Sequence, residues 1–292
     1  MKLPKITTKQ GEILELLYRY RFLNRIQIQA LMRHKDYKTI NVWLKDLREK
    51  QYVTWIYSNH FLEKTKPAIY YLNNNGIRYL KTLEYEDNTS IYPLEELHKR
   101  YKEHQRTQAF INRSLHVADC CIALEAANQQ NTSGETITNK SNPHYTCITE
   151  AAYLDQYSDY HFLAEHETLR PNLCIVKQKG TTTTNYLLEI VEPQLPQYRL
   201  RYRLKAYVKY IDERDWERET DDEHPPTILL VLPTLYSLIY AKRKVRKLLL
   251  ETYYDAADIP DDLHIRFTTT EQLQTHGITD KIWEEGRRVF SV

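Results

Sequence analysis

Apolar positions in the first third of the chain recur first with the period of a helix and then with that of a strand. Between Thr7 and Tyr20 they fall at Ile13, Leu16, Leu17 and Tyr20, the spacing of one helix face. Thr7 and Gln10 precede that run at the spacing of a capping box, in which each side chain answers the other's backbone N–H. Asn24 can cap a second helix whose inward residues are Ile28, Leu31 and Met32. A third helix is predicted from Asp36 to Lys50, with Ile40, Trp43, Leu44 and Leu47 on one face and Lys38, Asn41, Lys45 and Arg48 on the other. Asp36 supplies the carboxylate that an N-cap needs. Tyr52 to Tyr57 then reads as a strand, Ser58 to Lys66 as a polar loop carrying Lys64 and Lys66, and Ala68 to Leu72 as the returning strand. Asn73 opens a further helix through Leu83.

Helices joined by a tight turn, then a strand, a basic loop and a strand, are the element order of a winged helix-turn-helix, predicted here over residues 1–90. The third helix is the one expected to meet double-stranded DNA. Lysine and arginine neutralise phosphates and asparagine can pair with a base edge, so Lys38, Asn41, Lys45 and Arg48 are its candidate contacts. Lys64 and Lys66 are the candidate contacts of the wing. A surface helix with a solvated basic face carries the same pattern; the flanking elements favour the DNA reading.

The remainder, residues 91–292, alternates helices and strands, the pattern of an α/β layer domain, so the whole chain is expected to be α+β. A long helix is predicted from Pro93 to about Gln129, on the spacing of Ile111, Leu115, Ala118 and Ile122. Its charged first half, from His98 to Arg106, reads as a solvated face or as more phosphate-binding surface. Gln129 to Pro143 is polar and aperiodic, a loop within the second domain. Strands are predicted within Tyr160–Leu169 and at Leu173–Val176, Asn185–Val191, Thr227–Leu232 and His264–Thr268, with Gly180–Thr184 as a turn. Helices are predicted at Tyr198–Ile211, Leu235–Tyr253 and Lys281–Arg288. Tyr198–Ile211 also alternates like a strand, and its length decides for a helix.

Charge sharpens the division. The net charge is +2, yet residues 1–90 hold 16 Lys and Arg against 9 Asp and Glu, and the rest holds 25 against 30. A basic first third on a balanced chain suits a polyanion partner. No apolar run is long enough to cross a bilayer, and MKLPKITTKQ contains no apolar leader, so a cytoplasmic protein is expected, with no membrane partner. Cys120, Cys121, Cys147 and Cys174 have no metal-type spacing and read as reduced thiols. The 24 tyrosines could stack on bases, but at that number most are expected to be core and interface residues.

One constellation could carry chemistry. Glu165 and Glu167, Asn172 after Pro171, and Glu189 inside NYLLEIV all fall at predicted strand positions. A carboxylate in an apolar strand is costly to bury unless paired. It is either a Mg²⁺ ligand for phosphodiester cleavage or a residue at the strand's exposed end paired with Arg or Lys, and the second is preferred. No phosphate-cradling glycine loop, HExxH, GxSxG or zinc-ribbon spacing occurs, and His161 and His166 do not share a strand face.

The segments FLNRIQIQALM at 22–32, RPN at 170–172, LLEIVEP at 187–193 and LKAYVKYI at 204–211 together resemble the replication-relaxation family, across roughly residues 8–250. The resemblance implies a winged helix followed by a restriction-endonuclease-like domain, in proteins of plasmids and integrated mobile elements of bacteria. It also implies a two-strand PD-(D/E)xK site. Against that pattern Asn172 stands for the aspartate and Val191 for the lysine, while Glu189 matches and Glu165 could supply a glutamate. Lys205 or Lys209 could substitute in space for the lysine. The expectation is therefore a DNA-binding protein that is not an enzyme and needs no cofactor, serving replication, transfer or transcription control. Its further partner would be a second copy or a replication or transfer protein. The alternatives are a metal-dependent endonuclease with a displaced lysine and a protein-docking winged-helix adaptor.

Overall fold

The computed structural model describes residues 3–57, 65–86, 100–133, 142–153, 163, 169–218, 224–253 and 259–286. The chain is mixed α+β and packs as two compact units that divide between Ile122 and Ala123. The expected boundary at 90 and the wing residue Lys64 lie outside the described residues.

The first unit begins with α1 (Thr8–Tyr20), whose capping box is made: Gln10 N–H donates to Thr7 Oγ1 at 3.3 Å, and Thr7 N–H to Gln10 Oε1 at 2.9 Å. Strand β1 (Leu23–Asn24) leads into α2 (Arg25–Leu31), where Asn24 and Gln27 repeat the device at 3.0 and 3.1 Å. Helix α3 (Tyr37–Glu49) starts on Asp36, whose carboxylate accepts from Lys38 N–H at 2.9 Å and Thr39 N–H at 3.1 Å. Strands β2 (Val53–Ile56) and β3 (Ile69–Leu72) pair antiparallel with Trp55 opposite Tyr70, and β1 completes a sheet of order β1-β3-β2. Helix α4 (Asn74–Glu86) follows. Its Gly76 passes so close to the Tyr52 carbonyl that an added methyl would collide with that oxygen. Ile13, Leu14, Leu17, Phe22, Ile28, Ile40, Leu44 and Leu47 form the core.

Two expectations change in this unit. Trp43 is half-buried, edge-on to His34 at 5.2 Å, because Ile40, Leu44 and Leu47 already fill the inward stripe. The long helix is also interrupted. Glu103–Gln105 is one 3₁₀ turn, Arg106 is extended, and α5 (Gln108–Ser133) starts afresh where Phe110 N–H meets Thr107 Oγ1 at 3.3 Å.

The charged run before α5 is neither solvated nor available to phosphate at Arg100 and Glu103, which are 1% and 2% exposed. Glu103 Oε1 accepts from Arg21 Nη2 at 2.6 Å and Nε at 3.1 Å, with Arg100 at 3.9 Å; Arg106 lies 3.8 Å from Oε2. The guanidinium groups also lie against rings, Arg21 on Phe110 at 4.4 Å and Arg100 on Tyr18 at 5.1 Å. Gln27 ties α2 to α5, donating to Leu115 O at 2.9 Å and Asp119 Oδ1 at 2.6 Å.

The second unit is built on a six-stranded sheet of order β4-β5-β6-β7-β8-β9. Strands β4 (His144–Thr149), β5 (Leu173–Lys179) and β6 (Thr182–Ile190) are an antiparallel meander; α6 (Glu150–Tyr153) follows β4. Gly180, at φ 62°, and Thr181 make the tight turn between Lys179 and Thr182, so Thr182, Thr183 and Thr184, expected in that turn, extend β6 instead. Helix α7 (Gln197–Asp212) leads to β7 (Thr227–Leu232), parallel to β6, and α8 (Leu235–Tyr253) to β8 (Ile265–Thr269), parallel to β7. Helices α7 and α8 pack against each other.

After β8, the short helix α9 (Thr270–His276) rests on a Thr269–Gln272 capping box. A helix was expected near Lys281–Arg288, but Glu284–Glu285 is an edge strand, β9. Its carboxylates reach Lys242 at 2.9 Å and Arg266 at 3.0 Å, and Gly286 N–H donates to Ile265 O, which favours pairing over a helical turn. The four cysteines are free thiols.

Glu103→Ala should leave Arg21 and Arg100 buried without their carboxylate and destabilise the first unit by about 3–5 kcal/mol. Urea unfolding should show this as a lower midpoint.

Candidate functional site

On α3 the outward residues are Lys38, Asn41 and Lys45, all exposed as the helical spacing requires. They stand together on one face. Lys45 Nζ lies 3.9 Å from Glu49 across a solvated i,i+4 pair, which leaves it able to exchange partners. Arg48 departs from the expected set. Its guanidinium lies 3.8 Å over the Trp55 ring and is half-buried there, and Trp55 stacks on Tyr57 with centroids 5.6 Å apart. Trp55 and Tyr57 are two residues apart on and just after β2, so they share a face; that alternation was the signal for an aromatic edge beside α3.

Nearby apolar groups are also exposed. Tyr37 lies under Arg25 at 5.5 Å, and Val42 and Ile26 are open to solvent. Lys66 is exposed before β3, at a concavity of about 270 Å³ that it lines with Asn24, Tyr57, Gln108 and Asn112. The first unit thus combines cations, amides and open rings around α3. Such a surface can neutralise phosphates, meet base edges and pack on sugars.

The second cluster lies in β6. Glu189 is 2% exposed and carries an ion pair from Arg203 of α7. Leu187 and Glu189 share one sheet face, while Tyr186, Leu188 and Ile190 point to the other. Arg203 stands one turn before Tyr207 on α7, so both reach the Glu189 side. Burial works against the Arg203 charge, but the Glu189 carboxylate outweighs it and holds the guanidinium above its ordinary pKa. Burial, and then the adjacent Glu189 charge, push the Tyr207 phenol well above its usual range, so it stays neutral.

The other expected members of that cluster are engaged elsewhere. Asn172 Oδ1 accepts from Ile190 N–H at 2.7 Å while Asn172 N–H donates to Leu188 O at 2.8 Å. The side chain thereby continues the β5–β6 ladder by one step. Tyr153 hydroxyl donates to Pro171 O at 2.8 Å and fixes the approach to this position. Val191 is buried, its N–H donating to Val231 O at 2.9 Å. Lys205 is exposed, two residues from Arg203 and so on the opposite side of α7; Lys209 is exposed and faces Glu213 at 3.4 Å. The cation that reaches Glu189 is therefore Arg203, which was not among the expected residues, and neither lysine replaces it. The pairing expected of Glu189 is present, but deep in the sheet and not at an exposed strand end. Glu165 lies outside the described residues.

A nuclease-like fold would imply Mg²⁺, and these residues do not fit it. The buried carboxylate of β6 faces a guanidinium, the asparagine oxygen is committed to a backbone N–H, and the lysine position is an apolar wall. Among the described residues no three His, Cys, Asp or Glu side chains converge as metal ligands.

The molecule is thus an α+β protein of two units, one presenting a cationic helix and the other a sheet with a neutralised carboxylate at its centre. It belongs to the replication-relaxation family, whose profile matches residues 14–222, well over half the chain. Membership links it to plasmids and other mobile elements. Searches of curated proteins and of solved structures gave no match. Among the described residues no helix is long and apolar enough to cross a membrane.

The Glu189–Arg203 pair should respond unequally to truncation. Arg203→Ala strands a carboxylate that is almost wholly buried and should cost about 3–5 kcal/mol. Glu189→Ala leaves a guanidinium that is already 36% exposed and can turn to water, so its cost should be at or below about 3 kcal/mol. Thermal unfolding of both variants checks the order.

Proposed function

We propose that the first unit is a winged-helix module that binds double-stranded DNA through α3. We propose further that the second unit is a nuclease-like scaffold that does not cut it, in a protein of plasmid or mobile-element replication, transfer or transcription control. The observation that carries the DNA reading is the shared outward face of Lys38, Asn41 and Lys45 on a helix held from behind by Ile40, Leu44 and Leu47. Two lysines suit phosphates and the amide between them suits a base edge. Arg48, stacked on Trp55, gives that face a cation whose position is already restrained, and Lys66 adds charge beside β3. The same face turned to water alone would not explain the open Trp55, Tyr57 and Val42 beside it.

The non-cutting reading rests on Glu189. Cleavage at such a site needs ligands that hold a divalent ion beside the phosphate and a group that stabilises charge on the attacking water. Here Arg203 consumes the carboxylate's charge, and Val191 offers nothing to a water.

Lys38→Ala with Lys45→Ala should weaken duplex binding and lower the slope of log affinity against log salt by about 0.9 for each phosphate no longer neutralised. Fluorescence anisotropy at several KCl concentrations reads this, and an unchanged slope in the folded double variant would move the interface off α3. Supercoiled plasmid incubated with Mg²⁺ or Mn²⁺ should remain intact, and nicking that disappears in Glu189→Gln would overturn the scaffold reading.

A further inference from the structure

Large apolar side chains that remain exposed among the described residues gather in two places. One group surrounds α3 and β2. The other lies on the opening turns of α7 and α8: Tyr198, Tyr202, Leu235, Tyr236 and Ile239. The three tyrosines are 68%, 64% and 73% exposed, more open than any ring beside α3. Both helices begin beyond the ends of neighbouring parallel strands, β6 and β7, and pack on each other, so these turns fall at one end of the sheet.

Charge singles out the same helices. Gln197–Tyr210 and Leu235–Leu250 each hold five Lys and Arg and no acid, within a C-terminal two thirds whose acids outnumber its cations. Some of these cations are spent: Arg203 on Glu189, Lys242 on Glu284, Lys209 on Glu213 and Lys247 on Glu251. Arg201, Lys205 and Arg243 are exposed and make no ion pair among the described residues. Tyr198, Arg201, Tyr202 and Lys205 follow one another at i, i+3, i+4 and i+7, so rings and cations share one stripe of α7.

We propose that the outer face of α7 and α8 binds single-stranded nucleic acid, with Tyr198, Tyr202 and Tyr236 stacking on bases and Arg201, Lys205 and Arg243 neutralising phosphates. This goes beyond the duplex reading, which uses other residues in the other unit. A duplex keeps its base faces stacked inside and offers phosphates and groove edges, which would engage the cations and leave the rings in water. An unpaired strand offers both, and alternating rings and cations are what such a strand is held by. A second copy of the chain fits less well, since it would bring two uncompensated cationic stripes together.

The test uses the full chain with labelled oligothymidylate, oligouridylate and duplex DNA. Wild type should bind at least one of the two single strands, and comparison of the two tells a DNA from an RNA ligand. Tyr198→Ala/Tyr202→Ala/Tyr236→Ala should weaken that binding about tenfold or more and leave duplex affinity unchanged. The corresponding triple Tyr→Phe variant keeps the rings and should bind like wild type. Arg201→Ala/Lys205→Ala/Arg243→Ala should flatten the single-strand salt slope by about 0.7 per phosphate released. Lys38→Ala/Lys45→Ala should spare single-strand binding, so a failure of the duplex reading is scored separately. Absence of single-strand binding by wild type would overturn the proposal. So would an alanine triple variant, folded by circular dichroism, that binds unchanged. The same holds if its only effect, seen by sedimentation velocity, is to turn a dimer into a monomer, which would make the face a self-interface.

Discussion

Glu189 is a carboxylate in the apolar middle of a sheet, and much of the second unit follows from the need to neutralise it. Its cation comes from α7, so Arg203 must point at the sheet. Leu200, Leu204, Tyr207 and Val208 point the same way and bury with it. With the inward side of the helix fixed by that pair, its outward side is fixed too, and Tyr198, Arg201, Tyr202 and Lys205 are what remain there. One ion pair therefore both neutralises the buried carboxylate of β6 and sets the face that α7 turns to solvent. Replacing a buried ion pair by well-packed apolar residues is often neutral for stability. What it supplies is orientation.

The first unit uses a buried carboxylate in the same manner but for assembly. Glu103 gathers arginines from two separated segments, and Gln27 stitches α2 to α5. These contacts hold the elements behind α3, while Ile40, Leu44 and Leu47 hold α3 itself. The proposed duplex-binding face is thereby set on a rigid base, with the mobility left to lysine side chains.

Legibility in the sequence followed local physics. The capping box at Thr7, the caps at Asn24 and Asp36 and the 3.6 period placed three helices within a residue or two, because each signal lies within one turn. Strand β7 was equally clear from its uninterrupted apolar run. The Lys38–Asn41–Lys45 face could be read from spacing alone. What could not be read depends on partners far along the chain. Arg48 turns onto Trp55, Glu103 is buried against Arg21, Asn172 serves a backbone N–H eighteen residues away, and Arg203, in a segment that also alternates like a strand, pairs with Glu189. Strand β9 was missed for a related reason: two glutamates in a row resemble a helix until Lys242 and Arg266 stand opposite them.

The tyrosines on α7 and α8 also bear on how the molecule behaves in a crowded solution. Open leucine and phenylalanine at such density would draw copies together, whereas a tyrosine keeps its hydroxyl edge hydrated. The cations between the rings add mutual repulsion between copies, at a range of about 10 Å in 0.1 M salt. The same charges that would recruit a polyanion would oppose self-association in its absence. Ionic strength would then act on both at once: on the proposed binding, raising it would loosen the hold on a strand and lower the barrier to self-association, so one set of side chains would govern both.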